Sequence, residues 1–123
     1  MAGALRRLGL ATLILFALVA PAATEPASVA DIFRNPSAYR GRLLSVRGTL
    51  TNARPATPGG MAGPAFTVFD LVAGSGYLAV LSVVPPACPI GSTVTVEGRF
   101  LPTVQVRQQF YMNVIEASLV SCR

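Results

Sequence analysis

In two stretches after Leu43 the apolar residues of this chain recur at every second position, and that alternation limits the fold more than any other feature. Leu44, Val46, Gly48 and Leu50 interleave with Ser45, Arg47, Thr49 and Thr51. Further along, Val94, Val96 and Gly98 interleave with Thr95, Glu97 and Arg99. A period of two puts successive side chains on opposite faces of a strand, so one face is buried and the other wetted. The pattern predicts strands over Leu43–Asn52, Ala65–Leu71, Tyr77–Val84, Thr93–Leu101 and Gln109–Val120. Gly48 inside an apolar row predicts a bulge or a sharp bend.

Breakers separate these strands. Ala53–Pro64 is dense in Gly and Pro and reads as an irregular loop. Val72–Gly76 reads as a glycine-bearing hairpin turn, Pro85-Pro86 stops the third strand, and Ile90-Gly91-Ser92 turns the chain into the fourth. Leu101–Gln108 reads as a second connecting segment. Ahead of the strands, Glu25–Arg34 reads as a short helix with Ser28 as N-cap and Asp31 in capping-box register. Val29, Ile32 and Phe33 share one face of it, and Asn35-Pro36 ends it. Ser37–Gly41 then turns the chain. No helices alternate with the strands, which excludes a doubly wound parallel sheet. Five strands laid flat would leave exposed edges, and curling them into a small barrel covers most of those edges. The expected architecture is all-β: a five-stranded, OB-fold-like barrel over residues 23–123, led by a short helix.

The first 22 residues have a different character. Arg6 and Arg7 form a positive start, Leu8–Ala20 is an apolar run, and Ala20-Pro21-Ala22 offers small residues for cleavage after Ala22. That is the pattern of a secretory signal peptide. The run is short of the roughly 20 apolar residues of a spanning helix, though an uncleaved anchor is the alternative. No Cys follows it to carry a lipid, and Gly9 occupies a position that twin-arginine signals fill with a bulky apolar residue. The expectation is therefore a periplasmic or secreted protein with no stable membrane insertion after cleavage.

An exported chain gives its two cysteines a meaning. Cys88 and Cys122 are the only pair, and oxidising compartments favour a structural disulfide between them. The alternative, a redox or metal-binding thiol, lacks both a histidine and a C-x-x-C spacing.

A further set of residues resembles a known family. Val29-Ala30-Asp31-Ile32, Asn35-Pro36-Ser37-Ala38-Tyr39-Arg40-Gly41 and Leu44-Ser45-Val46-Arg47-Gly48-Thr49-Leu50 resemble the opening of exported bacterial OB-fold domains of the tRNA_anti-like type. Phe66–Asp70 resembles their second strand, and Ile90–Gly98 their fourth. The likeness covers most of residues 28–118 and implies the fold more than a function. The helix that many OB-folds place between strands three and four is replaced here by the proline and cysteine loop. Haem-carrying OB-fold chaperones attach haem through a histidine, and this chain has none.

The absence of histidine also removes Ser-His-Asp and Cys-His systems and most catalytic zinc sites. No phosphate-binding glycine motif occurs. Asp70 and Glu97 could form a carboxylate pair of the kind that hydrolyses glycosides, but a turn-flanking Asp and a strand-face Glu have ordinary structural roles. The expectation is a non-enzyme with no cofactor and no metal. OB barrels bind ligands across strands two and three and through the loops joining strands 1–2 and 4–5. On that analogy the candidate ligand-binding residues are Arg54, Phe69, Tyr77, Arg99 and Arg107, with the two aromatics offered as stacking surfaces. Without Arg6 and Arg7, eight of the ten basic residues remain against five acids, a net of +3 with no basic run. The first hypothesis is a binding or adaptor module of the bacterial cell envelope with a protein, peptide or glycan partner. The second is a single-stranded nucleic-acid binder acting outside the cytoplasm, and the third a small hydrolase using Asp70 and Glu97.

Overall fold

The computed structural model describes residues 23–55, 66–83, 85–106 and 108–122. Residues 1–22, with the expected signal peptide, lie outside them. So do most of the expected loop Ala53–Pro64 and the candidate Arg107.

Five long strands make the barrel: β2 (Leu43–Pro55), β3 (Thr67–Ala73), β4 (Gly76–Ser82), β5 (Thr93–Val106) and β6 (Gln109–Cys122). They run in the order β2-β3-β4-β6-β5, and β5 pairs back onto β2 to close the ring. All these ladders are antiparallel except β4–β6, which is parallel. This is a small barrel of OB-fold type.

Closure depends on β2 serving two neighbours. Leu43–Thr49 pair with β5, and Thr49–Pro55 pair with β3. Gly48 sits where the strand passes from one neighbour to the other. A Cβ there would lie 2.9 Å from both Leu71 Cγ and the Val72 carbonyl oxygen, so only glycine lets β3 approach this closely. The bulge expected at Gly48 lies further along, between Thr51 and Arg54, where Asn52 adopts φ 54°. A second irregularity falls at Glu97/Gly98. A Cβ on Gly98 would come within 2.1 Å of the Glu116 carbonyl oxygen, so the β5–β6 contact requires a residue without one.

One face of every barrel strand fills the interior. Leu44, Val46, Leu50, Phe69, Leu71, Leu78, Val80, Val94, Val96, Phe100 and Ile115 are all fully buried and form one core. The helix α1 (Val29–Arg34) adds Val29 and Ile32 to it. Ser28 caps this helix, its Oγ accepting from the Asp31 N–H at 3.1 Å. Phe33, on the outer side of α1, rests on Gly76 and lies 5.5 Å from the Tyr77 ring.

Two expectations need correction. Glu25–Ala27 is not the first turn of the helix. It is a short strand, β1, lying parallel to Leu44–Val46 on β2. There it covers the edge that β3 leaves free, and Arg42 locks it by donating from Nε and Nη2 to the two Glu25 carboxylate oxygens, each at 2.7 Å. Second, Leu101–Gln108 is not a connecting loop. β5 continues to Val106 and β6 resumes at Gln109, so the two strands form one long ribbon. Pro102 lies inside the ribbon, but proline only removes one donor, and the ladder resumes at Thr103↔Met112.

Cys88 and Cys122 are joined in a disulfide, with their Cα atoms 5.4 Å apart.

Candidate functional site

The outer face of β3 and β4 is where an OB barrel carries its ligands. Here that face is occupied. Val68, Ala79 and Leu81 point away from the core, since Phe69, Leu78 and Val80 point into it. All three are nevertheless buried. They form a satellite cluster with Val114 and with Val106 near the ribbon's tip, and Phe66, Val104 and Tyr111 pack against it. The far end of the β5–β6 ribbon therefore bends over the outside of the barrel and covers these strands.

The candidate ligand residues scatter accordingly. Phe69 is fully buried in the core, which corrects its assignment as a stacking surface: on this strand Phe69 and Leu71 face inward. Tyr77 is 54% exposed, but its ring packs beside Phe33 at the barrel mouth. Arg54 donates from Nη1 to the Asn52 carbonyl oxygen at 2.7 Å and lies 3.5 Å from the Asp70 carboxylate. Asn52 Nδ2 donates to the same carboxylate at 3.2 Å, so Asp70 ties down the β2 bulge. Arg99 donates to the Gly41 carbonyl oxygen at 2.6 Å and stands directly across from Glu116. These residues do not form one site.

Nor do Asp70 and Glu97 converge. Asp70 stands opposite Thr51 on β2 and Glu97 opposite Ser45. Six residues of strand separate those positions, about 20 Å at ordinary strand rise. Glycosidase carboxylates lie roughly 5–10 Å apart. Among the described residues no cluster of three or more His, Cys, Asp or Glu side chains could hold a metal.

Charge is interleaved with its opposite. Six arginines and five acids fall among the described residues. Arg34 pairs with Asp31, Arg42 with Glu25 and Arg54 with Asp70. The Asp31 carboxyl is held below its ordinary value, first by its hydrogen bond with Ser28 and then by Arg34. The Arg42 guanidinium is raised by its bond to Glu25. Three of the six described arginines are thus paired with acids.

A different feature was not anticipated. β4 and β6 run side by side as far as Leu81↔Glu116 and then part. β4 ends at Ser82, and Pro85 and Pro86, which lack an N–H, lead the chain away. β6 continues to Cys122 against β5 alone. The gap is a groove of about 520 Å³. Val83, Pro85 and Pro86 line one wall; Ala117, Leu119 and Val120 line the other. Among the described residues the lining adds Ser82 and Ser118 and no charged side chain, and Val83 and Leu119 are 61% and 51% exposed. The parallel ladder closes one end, and the Cys88–Cys122 bridge joins the two walls beyond the other. The sequence held one sign of this groove: the apolar residues on either side of Pro85-Pro86 have no alternating partner row.

No family model matches this chain, and no curated protein matches it. Among solved structures 49 chains match. One, assigned as an aspartyl-tRNA synthetase from Leishmania major Friedlin, superposes on 85% of this chain and 22% of its own length. Its TM-score is 0.57 and its identity 12%. The chain thus spans about a fifth of that protein, and likeness at this identity shows a common fold. No helix among the described residues is long and apolar enough to cross a membrane.

Proposed function

We propose that this chain is a non-catalytic binding module of the bacterial cell envelope, exported and oxidised, that engages a protein partner through the groove between Pro85-Pro86 and β6. The observation that carries the reading is the contrast between two surfaces. The usual OB ligand face is filled by the chain's own ribbon, whereas the groove is apolar, uncharged and open. Exposed apolar side chains gathered along a groove mark a protein contact more often than a nucleic-acid one. The absence of histidine and the separation of Asp70 from Glu97 support a role without catalysis. The disulfide and the signal-like first 22 residues support export, and the motifs of residues 28–118 support a place beside the tRNA_anti-like OB-folds.

The test is a displayed peptide library panned against the oxidised protein, with binders mapped by backbone NMR shifts. Shifts concentrated at 83–87 and 117–120, abolished by Leu119→Asp and retained in Arg47→Ala, are expected. Shifts confined to Arg47, Arg99 and their neighbours would reject the groove.

The second reading is single-stranded nucleic-acid binding. It is favoured by the fold shared with a chain named as a tRNA synthetase and by Arg40 and Arg47, which have no ion-pair partner among the described residues. Of its two candidate stacking rings Phe69 is buried, and Tyr77, though exposed, packs beside Phe33.

A further inference from the structure

The ribbon's hold on the barrel has the construction of a strap. β6 pairs with β4 only through Val114–Glu116, so among the described residues no third strand pairs with the ribbon from Pro102 to Asn113. A two-stranded ribbon is marginally stable unless something apolar supports it. The support is the satellite cluster: Val104, Val106 and Tyr111 against Val68, Ala79, Leu81 and Val114.

A joint lies where the ribbon leaves the barrel. The rungs run Leu101↔Val114 and then Thr103↔Met112, omitting Pro102 and Asn113. Proline has no N–H to donate, and Asn113 adopts φ 54°, a left-handed conformation that asparagine tolerates better than most residues. Register is the same on both sides of the gap, so the ladder is interrupted without slipping. Two backbone irregularities facing each other across a ribbon make this the place where it turns most easily.

The ribbon's other face matters as well. Phe110 and Met112 stand on the opposite side from Val104 and Tyr111 and are 64% and 68% exposed. The ribbon is therefore apolar on both faces, and only one of them is covered by the barrel.

We propose that the β5–β6 ribbon is a self-covering strap. In the resting protein it occupies the outer face of β3 and β4; turning at Pro102 and Asn113 releases it and uncovers Val68, Ala79, Leu81 and Val114. The site that other barrels of this shape leave open is then present in this chain but shut. This is independent of the groove, which lies at the opposite end of β6.

Methyl relaxation dispersion on the intact oxidised protein tests it. A shared exchange process at Val68, Leu81, Val104, Val106 and Val114 is expected, with none at Leu44, Leu78 and Val96. Flat profiles at the five, or the same exchange at the core methyls, would overturn the proposal. Val106→Asp supplies a second readout. Burying a carboxylate in the cluster drives the strap open, so binding of an anilinonaphthalene sulfonate dye rises several-fold while the Leu44, Leu78 and Val96 methyl shifts stay in place. Unchanged dye binding, or loss of the whole barrel in this variant, would show the ribbon to be fixed structure. The dispersion measurement on the unaltered protein does not depend on that variant folding.

Discussion

At Phe69 and Tyr77 two aromatics on neighbouring strands have opposite fates. Phe69 is fully buried among the barrel's inner row, and Tyr77 keeps about half its surface in water beside Phe33. Truncating a buried phenylalanine removes its transfer energy and leaves a cavity, so Phe69→Ala should cost about 3–5 kcal/mol in urea unfolding. Tyr77→Ala loses one tilted ring pair and little burial, and should cost about 1 kcal/mol. Comparable losses at the two positions would mean that the strand faces are reversed. The difficulty of assigning Phe69 from sequence has a physical basis. Phe66, Val68, Phe69 and Leu71 put apolar groups on both faces of one strand. Alternation assigns a face only when one side is polar, and a strand apolar on both sides is covered on both. The same holds for Leu78–Leu81, so the second layer over β3 and β4 was written into the sequence although the layer's source was not.

Among the elements, α1 was the most legible and β5 the least. Ser28, Val29 and Ile32 do what their spacing implies: one caps and two bury. Glu25–Ala27 could not be separated from the helix by local propensity, since its partner Leu44–Val46 lies well along the chain. In β5 the even-numbered row Val94, Val96, Gly98, Phe100 runs on past Pro102 through Val104 and Val106. The helix cap also carries a pH signature. The Asp31 carboxyl holds its proton less tightly in the folded chain than in the unfolded one, so the unfolded chain takes up the proton first as acid is added. Stability present at neutral pH is therefore lost as pH falls through and below the ordinary value of 3.8. Melting curves from pH 6 to 2 should show a decline there that Asp31→Asn flattens, and an unchanged slope in that variant would remove the helix as its source. Ser28→Ala should separately cost about 1 kcal/mol of stability at neutral pH.

The whole molecule is a closed wall with two additions. The five-stranded barrel, the leading helix and the disulfide follow from alternation, breakers, the cap and cysteine number. The groove and the covering ribbon do not, because each depends on where long strands diverge in space. The bridge closes a 34-residue separation across the groove's far end. Replacing both cysteines with alanine should lower unfolding free energy by about 4 kcal/mol on the chain-entropy estimate. A loss under about 1 kcal/mol would mean that the denatured chain is already held compact.

If the ribbon fills the ligand face, single-stranded nucleic acid has no open barrel face to lie on. A fluorescent mixed-sequence DNA and its RNA counterpart, titrated with the oxidised protein at low and at physiological salt, should give no saturable binding at either. Saturable binding whose logarithm falls steeply with the logarithm of salt concentration would contradict this, because it reports phosphates seated on an open basic face.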